Sequence, residues 1–98
     1  MTPAPYRRRV PRSDRRIMLA LLSGAGNLSG YPLARAAQVG YGRVYVILAR
    51  LERSGWVDSE WGTPDAKGNR RRFYQLTGDG RSQAMAILGL AEDTALWA

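Results

Sequence analysis

A chain of 98 residues, 45% of them hydrophobic, has room for one modest core, because small domains hide a smaller share of their surface. Fifteen Lys and Arg against eight Asp and Glu leave a formal charge of +7, and fourteen of the fifteen bases are arginine, which forms bidentate pairs with phosphates and base edges. The absence of cysteine and histidine excludes disulfides and thiolate chemistry and leaves nothing to support a transition-metal site.

Residues 1–12 carry Pro3, Pro5 and Pro11 among Arg7, Arg8, Arg9 and Arg12. Proline denies the segment a helix interior and little in it can be buried, so a mobile basic arm is expected. Ser13 is placed to cap a first helix, with Asp14 at its positive end and Ile17, Met18, Leu19, Leu21 and Leu22 as apolar positions up to Ser23 and Gly24. The six apolar residues from Ile17 to Leu22 fall short of the roughly 7 to 15 of a secretory segment and the roughly 18 of a membrane span. A cytoplasmic protein without membrane contact is expected.

Gly24, Gly26, Asn27, Ser29 and Gly30 form a turn-rich stretch, followed by a short helix from Tyr31 to Ala37 with Pro32 in its first turn. After Gln38, Val39 and Gly40, the segment from Tyr41 to Ser54 places Val44, Ile47, Leu48 and Leu51 at i, i+3, i+4 and i+7, all on one helical face. Gly55 stands where a C-terminal glycine ends a helix, and Arg50 and Arg53 favour its negative end. Residues Trp56–Trp61 and Arg71–Leu76 are rich in β-prone side chains and flank Gly62–Asn69, which predicts a hairpin. Thr77 then caps a final helix through Arg81, Met85 and Leu88 towards Leu90.

Three helices, a two-stranded hairpin with a basic loop and a last helix follow the order of a winged helix-turn-helix, a mainly α fold with a β-hairpin. The expected organisation is an arm over 1–12, a domain over 13–91 and a tail over 92–98. A helix fits the major groove of duplex DNA, where residues near its N-terminal end reach base edges. With the apolar face inward, Arg43, Val46, Arg50 and Arg53 turn outward. Asp58 and Glu60, two apart on a strand, lack any His or Cys to complete a metal site or any nucleophile to activate, so no catalysis and no cofactor are expected.

Three segments resemble the PadR-like transcriptional regulators. They are Ser29-Gly30-Tyr31-Pro32-Leu33; Gly42 to Val57, which carries Tyr45, Leu48, Arg50-Leu51-Glu52 and Gly55; and Gly68 to Thr77 with Gly80-Arg81. Each is moderately specific alone, and together, in order and spacing, they are strong. The resemblance implies a transcriptional regulator, commonly a homodimeric repressor whose C-terminal helices help form the dimer. Val46 and Arg43 depart from the proline and threonine common there, and the dimer contact falls to a short C-terminal helix with Leu90, Leu96 and Trp97.

The resulting expectation is sequence-specific binding of double-stranded DNA, in the manner of a repressor, with a size that suits a phage or mobile-element regulator. Arg43 and Val46 face bases; Arg50 and Arg53 hold phosphates; Tyr41 touches a phosphate or packs at the helix start. Lys67, Arg70 and Arg71 of the hairpin approach the minor groove, and Arg7, Arg8 and Arg9 follow the backbone or an adjacent groove. Two other classes compete with this reading: a winged-helix protein-interaction module, and a protein that binds nucleic acid through charge alone. Trp56, Val57, Tyr74 and Leu76 are expected in the core, Trp61 and Trp97 in packing or a dimer contact.

Overall fold

The computed structural model describes residues 4–24 and 28–90. Its elements are α1 (Arg12–Ser23), β1 (Leu28–Ser29), α2 (Gly30–Ala37), α3 (Tyr41–Arg53), β2 (Val57–Trp61), β3 (Arg72–Leu76) and α4 (Gly78–Leu88). The strands form one antiparallel sheet in the order β1-β3-β2.

On α1, the buried residues Asp14, Ile17, Met18 and Leu21 fall at i, i+3, i+4 and i+7, one face of a helix. That face meets Leu33, Val44, Ile47, Leu48 and Leu51 of α2 and α3, all essentially inaccessible to water. Val57 and Tyr74 from the sheet and Ala84 from α4 close the core. Each fully buried aliphatic side chain contributes about 1.5 to 3 kcal/mol through removal from water, so the interlocked α1 to α3 faces carry most of the stability. Leu19, grouped with the apolar positions of this helix, instead stands 48% exposed.

Three details differ from the sequence expectation. The helix α1 starts two residues earlier, with Pro11 at the cap, and the Ser13 hydroxyl donates to Asp14 Oδ1 at 3.1 Å instead of capping the backbone. The segment before it is also not a free arm: Val10 is buried, Tyr6 packs on Trp56 with ring centroids 6.1 Å apart, and the Tyr6 hydroxyl donates to Asp14 Oδ2 at 2.6 Å. An aromatic and a valine among arginines supply enough apolar surface to hold the segment down. Within the turn-rich stretch the structure adds a third strand, β1, which pairs Leu28 with Tyr74 and Ser29 with Phe73.

Helix ends follow local chemistry. Beyond α3, Gly55 adopts φ +77° and its N–H bonds to the Glu52 carbonyl while the Trp56 N–H bonds to Leu51, which satisfies two carbonyls that the helix leaves open. The same paired bonds close α2, from Gln38 to Arg35 and from Val39 to Ala34, but there the left-handed residue is Gln38 at φ 57°. A side chain is disfavoured in that region. Gln38→Gly is therefore expected to stabilise the domain by about 0.5 to 1 kcal/mol, seen as a Tm several degrees higher. An unchanged Tm would mean that Gln38 adopts this conformation without cost.

Thr77 caps α4 as expected, accepting from the Gly80 N–H at 2.9 Å and donating to the Gly55 carbonyl at 2.7 Å. The helix ends at Leu88, leaving Leu90 49% exposed. Leu96 and Trp97 lie outside the described residues.

Candidate nucleic-acid interface

Because Val44, Ile47, Leu48 and Leu51 fill the core, the opposite side of α3 faces solvent. At roughly 100° per residue, Gly42, Val46, Ala49 and Arg53 lie within about 30° of the outward direction, and Arg43 and Tyr45 stand on opposite flanks. Tyr41, Val46 and Tyr45 are 53%, 56% and 39% exposed. Val46 thus stands on the outward strip, whereas Tyr41 and Tyr45 lie together on the flank towards the wing.

The Tyr45 flank meets the wing. Tyr41 and Tyr45 stack edge to face at 5.2 Å with their hydroxyls 3.1 Å apart, and Tyr31 and Tyr74 extend the cluster at 6.2 and 6.5 Å. The hydrogen bond with Tyr41, followed by burial, pushes the Tyr45 phenol up to about 12, so the Tyr45 hydroxyl keeps its proton at physiological pH. Gly30 makes room for this arrangement, since a Cβ there would overlap the Tyr45 hydroxyl. The partner of the Tyr45 hydroxyl is thus the Tyr41 side chain, where a backbone group or a phosphate is what the sequence suggests.

On the wing, Arg70 and Arg72 lie over the Trp61 ring at 5.7 and 5.3 Å, within cation–π range. Arg70 Nε also donates to the Gly62 carbonyl at 3.2 Å. The tip is organised by Asp65, whose Oδ1 accepts the backbone N–H groups of Lys67 and Asn69, both at 2.9 Å. Lys67, Arg70 and Arg71 are exposed. Arg72 turns back towards α3, bonding Glu52 Oε2 at 3.2 Å and the Ser59 hydroxyl at 2.9 Å, while Ser59 donates to the same Glu52 oxygen at 2.6 Å.

Between these parts lies an open cleft of about 580 Å³, lined by the first turn of α2, Tyr41, Tyr45, Trp61, Arg70, Arg71, Arg72 and Tyr74. Tyr41, Arg70 and Arg71 thus converge on one site. Tyrosine hydroxyls and guanidinium groups are donors to phosphate oxygens, and their arrangement suits a sugar-phosphate strand passing between helix and wing. Tyr31, Tyr45, Trp61 and Ala49 were not singled out in the sequence as interface residues; the tyrosine spacing on α3 was the available signal.

Arg50 departs from the expected phosphate role. Its Nη1 lies 2.7 Å from Asp14 Oδ2 and its guanidinium 5.7 Å from the Tyr6 ring centroid. Asp14 is 1% exposed, and a buried carboxylate demands a partner, so Arg50 is engaged inside the fold. Burial, reinforced by the Asp14 hydrogen bond and charge, raises the Tyr6 pKa. Ala4 and Pro5 border Arg50, Arg53 and Ser54, which places the start of the basic segment at the C-terminal end of α3. Arg7, Arg8, Arg9 and Arg53 are exposed, none of them lines the tyrosine cleft, and Arg8 stands beside Ser54, Trp56 and α4. Asp58 and Glu60 are exposed on β2, and among the described residues no group of acids could hold a metal ion.

The family model described as the transcriptional regulator PadR-like family matches residues 18–86. The chain belongs to the PadR-like family. It is accordingly a DNA-binding transcriptional regulator with a winged-helix fold, not an enzyme. Its fold is similar to that of a candidate DNA-binding protein of Ralstonia eutropha JMP134, at TM-score 0.62 and 23% identity over 80% of this chain and 96% of that one. A MarR-family regulator from Silicibacter pomeroyi gives TM-score 0.66 and 21% identity over 83% of this chain and 51% of the other. NadR in complex with 4-hydroxyphenylacetate gives TM-score 0.64 and 28% identity over 82% and 54%. The PadR-like chain thus spans nearly all of the first structure but about half of the other two. A search of curated proteins found no match. Among the described residues no helix is long and apolar enough to cross a membrane.

Proposed function

We propose that this PadR-like chain is a sequence-specific repressor that places the outward face of α3 in the major groove of duplex DNA. The observation that carries the reading is the convergence of exposed Tyr41, Arg70 and Arg71 on one cleft beside the exposed face of α3. Arg43 and Val46 take the base edges, with Arg43 reaching in from the flank, and Lys67, Arg70 and Arg71 take the minor groove or the phosphates beside it. Arg53 with Arg7, Arg8 and Arg9 forms the second, electrostatic zone at the other end of α3. Such a protein acts in the cytoplasm, and a homodimer on a two-fold operator through its C-terminal helix accords with its family.

The test is selection of bound duplexes from a random pool, followed by titrations at two salt concentrations. Arg43→Ala is expected to relax base choice at one position by about 1 to 3 kcal/mol. Arg71→Ala is expected to weaken all duplexes alike and lower the slope of log K against log salt by about 1. Equal losses across sequences in both variants would remove Arg43 from base readout. Equal binding to random duplex and RNA would favour a charge-driven binder, and no binding would favour a protein-interaction module.

A further inference from the structure

We infer that Val46, supported by Ala49, selects a thymine in the bound site by covering its C5 methyl group. The inference rests on the major-groove reading of α3. Val46 is 56% exposed, whereas Val44, Ile47, Leu48 and Leu51 on the same helix are at most 1% exposed. Its branched side chain therefore stands in water while the fold's own apolar positions are filled. Gly42 and Ala49, its neighbours along the outward direction, carry no polar side-chain atom, and the Arg43 and Tyr45 polar groups originate on the flanks.

From Gly42 to Ala49 the outward strip thus offers hydrocarbon alone, and the next residue on it, Arg53, stands one turn further on at the C-terminal end of the helix. Among the base edges in the major groove, the C5 methyl of thymine is the apolar feature; the O6 and N7 of guanine, the amino group of adenine and that of cytosine are polar. A polar edge covered by Val46 would lose its water without gaining a partner. A thymine methyl would instead exchange water for hydrocarbon on both sides. Gly42 suits the close approach this needs: a Cβ there would meet nothing in the protein within 4 Å, so the fold itself does not call for glycine at that position.

The experiment takes the preferred duplex selected by the full chain and replaces each thymine in turn with deoxyuridine, which removes one methyl group and leaves the pairing intact. Wild type is expected to lose about fourfold in affinity at one of these positions. Val46→Ala, its folding verified by thermal melting, is expected to bind the thymine and deoxyuridine duplexes equally there. The inference is overturned if no replacement changes wild-type affinity, or if the loss persists undiminished in Val46→Ala, while the duplex reading stands. Enrichment of no duplex at all overturns both.

Discussion

Gly80→Ala is expected to destabilise the domain by about 3 kcal/mol, the upper part of the range for forced overpacking. Gly80 is buried in the first turn of α4, and a Cβ there would overlap the Trp56 carbonyl oxygen, with the Trp56 carbonyl carbon and Cα close behind. These are backbone atoms and cannot swing aside as a side-chain tip would. The Trp56 carbonyl also accepts the Thr77 N–H at 2.9 Å, so displacement would disturb the junction of β3 with α4. For a domain of this size the loss corresponds to a fall in Tm of roughly 12 to 24 °C. Gly78→Ala is the control, because its added Cβ meets nothing. Similar melting of the two variants would show that α4 does not depend on close approach to Trp56.

Arg50→Ala is expected to have the next largest effect, a loss of about 2 to 3 kcal/mol, below the range for a fully buried pair because the arginine keeps some contact with water. Its removal leaves Asp14, 1% exposed, with the Tyr6 and Ser13 hydroxyls as its remaining side-chain partners. Adding Asp14→Asn should recover part of the loss, since no buried charge then remains. Denaturant titration of the single and double variants measures this. A stable Arg50→Ala protein that binds DNA weakly would instead return Arg50 to the phosphate role. The same network sets an alkaline limit. The folded-state pKa of Tyr6 is raised from 10.0, so the stability lent by its neutral phenol is complete below pH 10 and is lost as pH rises towards the folded value. Tyr6→Phe should flatten that decline.

The sequence made the α3 helix legible because its apolar positions repeat at helical spacing and Gly55 ends it. It made the wing legible through β-prone runs on either side of a Gly, Pro, Asp and Asn segment. It did not disclose the role of Arg50, whose partner lies 36 residues away on a face shared with Ile17 and Met18. Seen along the chain, Asp14 looks like an ordinary first-turn acid; only the packing of α1 on α3 makes it a buried charge. Likewise β1 has two residues, too few for alternation to show, and exists through its pairing with β3. Tyr6 and Val10 were masked by the prolines and arginines around them, and their contacts with Trp56 and the core are non-local. Within the candidate interface, Arg43, Val46, Arg70 and Arg71 could be nominated from periodicity and charge. The tyrosine cluster depended on bringing the starts of α2 and α3 against β3.

The bond of Arg72 and Ser59 to Glu52 has a mechanical consequence. It ties the hairpin to the C-terminal end of α3 through short polar contacts, so on the proposed DNA reading the helix and the wing keep a set distance and angle. On that reading the pair would work like a caliper on the duplex: twist and local bending would decide whether a major groove and the neighbouring minor groove arrive together. Sequences that differ at base pairs never touched, but differ in stiffness or groove width, would then be told apart by the strain needed to fit.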